Sequence, residues 1–112
     1  MHRVDLQDER NRIPFRLLCL HAEAIGDAPF LLSDEQRYSY GRANAIVNAY
    51  AHGLRTLGVQ AGDRVAIVMP QRPETAVAHI ALYQLGAVAM PLSMLFGPDA
   101  LRLRVNDCRP AI

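Results

Sequence analysis

The four histidines carry the side chains best suited to acid–base or metal chemistry near neutral pH. His79 lies in an apolar segment, where an imidazole could serve a nucleophile as general base, but no Gly-x-Ser-x-Gly segment supplies one. No two histidines stand four residues apart, the spacing of a zinc-binding pair on a helix. We therefore predict that His79 has a structural role, that His52 is exposed to solvent, and that the histidines form no metal site. The two remaining histidines are His2 and His21.

Phosphate binding is the second chemistry that the residue types allow. A guanidinium can pair with phosphate, but no glycine-rich loop precedes the candidate arginines, which are interleaved with apolar and acidic residues. The glycines at 53, 58 and 62 do not form Gly-x-Gly-x-x-Gly, so we predict packing and turn roles for them. We interpret the following as surface arginines: Arg64, Arg72, Arg102, Arg104 and Arg109.

The complete absence of lysine limits the chemistry further. All twelve basic residues are arginines. This excludes a phosphate-loop lysine, a Schiff-base lysine and a lysine general base, and arginine cannot serve as a base because it stays protonated. We assign no catalytic, cofactor-binding or metal-binding residue, and we interpret Met90 and Met94 as core-filling side chains.

Length and composition indicate a single small globular unit. The chain has 112 residues, of which 51% are hydrophobic and 21% charged. A net charge of +1 does not favour binding to nucleic acid or to an anionic membrane surface. The polar N-terminus lacks the apolar core of a signal peptide, and no apolar run approaches the roughly 20 residues of a membrane span. Cys19 and Cys108 are predicted to be reduced thiols of a cytoplasmic protein, and the alternative is a disulfide in a secreted protein.

The first half of the chain predicts helix, hairpin and helix. We expect a flexible segment over 1–13, followed by a helix from Pro14 to Gly26. Strands over 29–33 and 37–39 should form a short β-hairpin. A second helix should run over 40–57, between a Ser39 cap and Gly58. Its apolar stripe consists of Ala43, Ile46, Val47, Tyr50, Leu54 and Leu57.

The second half predicts a βαβ unit, so the fold class is α/β. The apolar run Val65–Met69 is typical of a parallel strand buried on both faces. A largely covered helix from Pro73 to Leu85 and a strand over 87–90 follow. The last predicted helix runs from Pro98 to about Asp107, and 109–112 approach another strand. Its inward residues should be Leu101, Val105 and Cys108.

Three segments stand in fixed order along the chain. They are Tyr38-Ser39-Tyr40-Gly41-Arg42, Gly62-Asp63-Arg64-Val65 with Pro73-Glu74, and Leu85-Gly86-Ala87-Val88-Ala89-Met90-Pro91-Leu92. Together they resemble the start of the adenylate-forming enzymes, the AMP-binding acyl-CoA synthetase superfamily. Arg42 departs from this pattern, because many relatives carry a glutamate there that completes a capping box. The stretch over 96–107 looks most like the acetyl- and medium-chain acyl-CoA synthetases.

The resemblance implies that residues 14–112 are part of the large N-terminal domain of such an enzyme. It implies ATP, Mg²⁺ and CoA for the full-length family, whose phosphate loop, acidic residues and lysines have no counterpart here. It also places the loop 93–95 near the entrance for CoA. We therefore expect a truncated N-terminal portion of an AMP-forming carboxylate–CoA ligase that is inactive alone. The alternatives are a non-catalytic interaction module and one chain of a split ligase.

Association with another chain is expected from the predicted sheet. A parallel sheet needs cover on both faces and neighbours at its edges. The strands 65–69 and 87–90 should leave apolar surface and at least one strand edge exposed. The expected partners are a second copy of the chain or a complementary ligase chain.

Overall fold

The computed structural model describes residues 3–112. A 3-10 helix, Glu9–Arg12, precedes the first α-helix, and the Asp8 carboxylate accepts the amide N–H of Arg10 at its start. The flexibility expected over 1–13 stays a prediction, and residues 1 and 2, including His2, lie outside the described residues. Helix α1, Pro14–Ile25, begins at the predicted proline and buries Leu18.

The predicted hairpin is present as two antiparallel strands, β1 (Pro29–Leu32) and β2 (Arg37–Ser39). Its turn contains neither glycine nor asparagine. The Ser33 side chain closes it instead, because its hydroxyl oxygen accepts the Gln36 N–H at 3.1 Å while the Ser33 N–H donates to the Gln36 carbonyl at 2.9 Å.

Helix α2, Tyr40–Thr56, begins where the sequence predicts, and the Ser39 hydroxyl caps it by accepting the Arg42 N–H at 3.1 Å. Its buried face is rotated from the predicted stripe. Tyr50 and Leu57 are exposed, and Ala51 is buried in their place. The buried face of α2 is made of alanine and valine side chains, because α2 packs closely against both α1 and the next helix. The buried residues of α2 are Ala43, Val47 and Ala51.

The βαβ unit consists of β3 (Arg64–Ile67), helix α3 (Pro73–Gln84) and β4 (Val88–Pro91). The two strands are parallel, with Arg64 opposite Val88 and Ile67 opposite Pro91. The prediction of a strand buried on both faces over 65–69 is wrong. Val65 and Ile67 are buried on the face that α3 covers, and Ala66 on the other face is half-buried. Val68 and Met69 follow the end of β3 and are exposed. The predicted cover of α3 itself is confirmed, since Tyr83 is its one exposed residue.

Helix α4, Pro98–Cys108, contains no buried residue. Leu101 and Cys108 are half-buried, but Val105, predicted to face inward, is exposed. The buried residues of the molecule form two adjoining clusters, and Leu54 and Leu85 pack against both of them. The clusters are Leu18, Tyr38, Ala43, Val47, Ala51, Val77 and Ala81, and Val59, Val65, Ile67, Leu82 and Ala87.

None of the helices within residues 3–112 combines the length and the apolar character needed to cross a membrane.

Candidate functional site

A cleft of about 440 Å³ opens where the two parallel strands end. β3 and β4 finish at the same edge, and the N-terminal half of α3 forms a third side. Carboxyl ends of parallel strands are the usual place for ligands in α/β folds. We call it the strand-end cleft. Its lining residues are Ile67, Met69, Pro70, Gln71, Thr75, His79, Pro91, Leu92, Ser93, Met94 and Leu95.

A short chain of hydrogen bonds orients the polar side of the strand-end cleft. The Thr75 hydroxyl donates to the Pro70 carbonyl oxygen at 2.6 Å, which ties the loop after β3 to α3. The His79 Nδ1–H donates to the Thr75 carbonyl oxygen at 2.8 Å. Because a carbonyl can only accept, the neutral imidazole carries its proton on Nδ1, and Nε2 is left as an acceptor.

The loop after β4 forms the opposite wall. The Leu95 N–H donates to the Ser93 hydroxyl oxygen at 3.0 Å, and the Phe96 N–H donates to the Ser93 carbonyl at 3.3 Å. Met94 is exposed, so its predicted role as core filler is wrong, whereas Met90 is half-buried in β4. The proximity of this loop to a CoA entrance stays a prediction.

The strand-end cleft has binding geometry without a catalytic pair. Among residues 3–112, no hydrogen bond joins the Ser93 hydroxyl to the His79 imidazole, and the hydroxyl oxygen serves the loop itself. A nucleophile needs an adjacent base within hydrogen-bond reach. The cleft can therefore hold an apolar group beside the polar side chains of Gln71, His79 and Ser93.

A second polar cluster, which the sequence did not predict, joins the hairpin to α3. The Tyr38 hydroxyl lies 3.4 Å from both Gln36 Oε1 and Glu74 Oε1, and its single proton can serve one of them at a time. Glu74 Oε2 is buried without a hydrogen bond and lies 3.6 Å from Arg72 Nε. The cluster links β2 to the first turn of α3, which is a structural role.

The candidate arginines are exposed and distributed over β3, the start of α3, and α4 with the residue after it. Arg72 pairs with Glu74, and Arg104 lies over the Phe96 ring at 4.0 Å while donating to the Ala100 carbonyl at 3.0 Å. Arg64 belongs to β3, Arg102 is exposed on α4, and Arg109 follows α4 in the left-handed conformation, with φ 49°. This placement agrees with surface arginines rather than a phosphate cradle.

The remaining candidates are also apart from the strand-end cleft. His52 is exposed on α2, as predicted. His21 stacks on Tyr40 at 5.1 Å, and its Nδ1–H donates to the Leu17 carbonyl. Gly53 lies within α2, and the glycines at 58 and 62 have φ values of 98° and 86° at the turns that precede β3. Within residues 3–112, no three histidine, cysteine, aspartate or glutamate side chains group closely enough to hold a metal ion.

The N-termini of α3 and α4 do not fit the phosphates of ATP. Helix N-termini bind phosphate through free N–H groups and a positive dipole end. Both α3 and α4 begin with a proline, which has no N–H, and each carries a carboxylate in its first turn, Glu74 and Asp99 respectively. These carboxylates oppose an anion, so no step of ATP chemistry is assigned to this chain.

Sequence reasoning missed the part of the cleft formed by Pro70, Gln71 and Thr75. None of these residue types marks a site by spacing. The cleft could have been predicted from the topology alone. Two neighbouring parallel strands end at the same edge of the sheet, so the loops that follow them lie close together there.

Comparisons with known proteins place the chain in a family. The family model described as AMP-binding enzyme matches residues 20–112. An acetyl-coenzyme A synthetase of Magnetococcus marinus is 37% identical over 108 residues, which cover 89% of this chain and 17% of the relative. An acetyl-coenzyme A synthetase of Gemmatimonas aurantiaca is 40% identical over 75 residues, covering 67% of this chain and 12% of the relative.

Solved structures share the fold. The N-terminal domain of FACL13 from Mycobacterium tuberculosis has a TM-score of 0.83 at 27% identity, covering 88% of this chain and 25% of that one. A fatty acyl CoA synthetase of the same organism has a TM-score of 0.83 at 26% identity, and the match covers 90% of this chain and 20% of that one. The chain thus spans a quarter or less of the length of these relatives. Because the family match extends from within α1 through α4 and the fold agrees with it, the chain belongs to the AMP-binding enzyme family.

Proposed function

We propose that the chain is the N-terminal portion of an ATP-dependent, AMP-forming carboxylate–CoA ligase, and that it supplies framework rather than chemistry. The observation that carries the proposal is the family match over residues 20–112 in a chain that spans 17% of an acetyl-coenzyme A synthetase. Two features support inactivity of the chain by itself: the sequence contains no lysine, and the N-termini of α3 and α4 carry carboxylates that oppose phosphate.

In the assembled ligase, the carboxylate oxygen of an acid attacks the α-phosphorus of ATP, and pyrophosphate leaves. The thiol of CoA then attacks the acyl carbon of the acyl-adenylate, and AMP leaves. ATP, Mg²⁺ and CoA are bound by the remainder of the enzyme in this proposal. The βαβ unit and the helices α1 and α2 contribute the scaffold on which that remainder packs. The reaction belongs to acyl-CoA formation in fatty acid metabolism.

The exposed apolar side chains of this chain support the proposal that it binds a partner chain. Leu95 is 94% exposed, and Val68, Met69 and Leu103 are also exposed. The radius of gyration is 15.4 Å, against about 13 Å for a compact domain of this size. A complementary ligase chain would cover this surface, and a second copy of the chain is the competing occupant. Two free, half-buried cysteines support a location in the reducing cytoplasm.

The test is complementation. The chain is mixed with an acetyl-coenzyme A synthetase from which the matching N-terminal residues have been deleted, and ATP–pyrophosphate exchange is measured with acetate through octanoate. Each chain alone should give no exchange above a blank without protein, and the mixture should restore it. A folding control uses Leu57→Ala, an exposed site at which complementation should be unchanged.

Two results would contradict the proposal. Exchange by the 112-residue chain alone would show that it carries its own chemistry. A folded chain that never restores exchange would favour a non-catalytic interaction module.

A further inference from the structure

The loop between β3 and α3 borders two cavities. Its residues Pro70 and Gln71 line the strand-end cleft. Gln71 also lines a second cavity of about 220 Å³, together with Arg72, and the opposite wall of that cavity is the hairpin turn 33–36. A movement of this loop therefore changes the shape of both cavities.

The two ends of the loop are held against α3 by different contacts. The Thr75 hydroxyl donates to the Pro70 carbonyl at 2.6 Å, which fixes the end nearer β3. At the other end, the Thr75 N–H donates to the Arg72 carbonyl at 3.0 Å. Arg72 Nε lies 3.6 Å from Glu74 Oε2, and within residues 3–112 Glu74 is the single ion-pair partner of Arg72. The position of the Arg72 side chain therefore depends on where the Glu74 carboxylate lies.

Tyr38 connects the Glu74 carboxylate to the hairpin. Tyr38 is 5% exposed, and its hydroxyl oxygen lies 3.4 Å from both Gln36 Oε1 and Glu74 Oε1. An O–H···O hydrogen bond is usually about 2.7–2.8 Å long, so neither contact has its full strength. Because the hydroxyl carries one proton, it can complete a hydrogen bond to Gln36 or to Glu74, but not to both.

The two possible hydrogen bonds join different parts of the molecule. A bond from Tyr38 to Gln36 stays within the hairpin, whereas a bond to Glu74 spans 36 positions in sequence and joins β2 to the first turn of α3. Glu74 Oε2 is buried without a hydrogen-bond partner among residues 3–112. A carboxylate in this position gains from each donor that reaches it, so Glu74 competes with Gln36 for the Tyr38 proton. The cluster therefore has two discrete arrangements.

We propose that Tyr38, Glu74 and Arg72 form a latch through which the hairpin sets the position of the loop 70–72 and the shape of the strand-end cleft. In the closed arrangement, Tyr38 donates to Glu74, and Glu74 holds Arg72 and the loop against α3. In the open arrangement, Tyr38 donates to Gln36, and Glu74 loses its restraint from the hairpin. Tyr38 and Glu74 are thus positioning residues for the cleft. The inference goes beyond the proposed function and does not depend on it.

The test compares two variants of the intact chain that shift the latch in opposite directions. Gln36→Leu removes the competing acceptor and should favour the closed arrangement, whereas Tyr38→Phe removes the hydroxyl and should leave the latch open. Amide hydrogen exchange at Thr75 should slow by about two- to tenfold in Gln36→Leu, which is the effect of one hydrogen bond, and accelerate by a similar factor in Tyr38→Phe.

The matched control is the amide of Ala87, which donates to the Leu82 carbonyl at 3.0 Å within the second buried cluster. Its exchange should change by less than about twofold in either variant, because local opening of the latch leaves that cluster intact. In a Glu74→Ala background, Tyr38→Phe should cause no further change at Thr75, because the hydroxyl then has no partner on α3.

A second measurement follows the strand-end cleft itself. The Thr75 methyl group and the His79 ring line the cleft, and NMR gives their chemical shifts in the wild type and in both variants. Because the variants change only the populations of two arrangements, the wild-type shifts should lie on the line between those of Gln36→Leu and Tyr38→Phe. A side chain that serves packing alone would not produce this relation.

Three results would overturn the proposal. Faster or unchanged exchange at Thr75 in Gln36→Leu would show that Gln36 does not compete for the Tyr38 proton. Equal changes at Thr75 and Ala87 would mean that the substitutions alter only the global stability. Wild-type shifts of the cleft residues outside the interval between the two variants would show that the hairpin does not control the cleft. If Tyr38→Phe does not fold, the two amides in Gln36→Leu decide the question alone.

Discussion

Gly26 and Gly41 bring the end of α1 and the start of α2 into backbone contact. The Gly41 N–H donates to the Gly26 carbonyl at 2.9 Å, and a Cβ added at Gly41 would lie 3.2 Å from that oxygen. A Cβ added at Gly26 would lie 2.7 Å from the Ala22 carbonyl oxygen. The hairpin between the two helices is thus closed at its base by a contact that side chains would crowd.

Gly26→Ala should lower the free energy of unfolding by about 1–3 kcal/mol, because the methyl group meets backbone that can move only with α1. Gly53→Ala is the matched control. Its added Cβ meets nothing within 4 Å in the interior of α2, so it should raise the free energy of unfolding by roughly 0.5–1 kcal/mol. Urea denaturation followed by circular dichroism measures both. Equal effects would mean that the Ala22 carbonyl does not crowd the Gly26 position.

Leu82→Ala should lower the free energy of unfolding by about 2–5 kcal/mol, because Leu82 is 1% exposed and its loss leaves a cavity between α3 and β3. Leu57→Ala should change the same quantity by less than about 0.5 kcal/mol, since Leu57 is 70% exposed. A large effect at Leu57 in urea denaturation would support the predicted helix stripe over the observed one.

The carboxyl group of Asp8 should titrate below its ordinary pKa of 3.8, first because the Arg10 side chain donates a hydrogen bond to it and second because the Arg10 backbone N–H does so too. A pKa lowered in the folded state gives a contribution to stability that is present above pH 3.8 and is lost as the pH falls through the folded pKa. NMR titration of Asp8 measures this. Arg10→Ala should move the pKa back up, and no movement would contradict the contact.

Exposed apolar side chains should make the isolated chain self-associate. Light scattering should show an apparent mass that rises with concentration, and a hydrophobic-surface dye should bind, because contiguous exposed apolar surface promotes association. The double variant Leu95→Ser with Leu103→Ser should reduce both signals, whereas Arg102→Ser, on the polar surface of the same helix as Leu103, should not. A constant monomer mass without dye binding would indicate a chain that closes its own core.

The site was harder to predict than the elements. Ser39, Pro73 and Pro98 mark helix starts through local chemistry, and all three starts were predicted. The strand-end cleft draws on the loops after β3 and β4, which are about twenty residues apart in sequence. No local sequence pattern indicates that these loops meet. His79 reaches the cleft because α3 packs beside the strand ends, where the Thr75 hydroxyl donates to the Pro70 carbonyl.

The sequence by itself determined the order and limits of most helices and strands and the α/β class, because capping residues, prolines and apolar periodicity act over one or two turns. The family was indicated separately, by the resemblance of three segments in fixed order. Only the tertiary structure decided which faces are buried. Tyr50 and Val105 have apolar spacing that suits a core, yet both are exposed. Burial depends on whether another element packs against a face, and α4 and the outer face of β3 have little packed against them within residues 3–112.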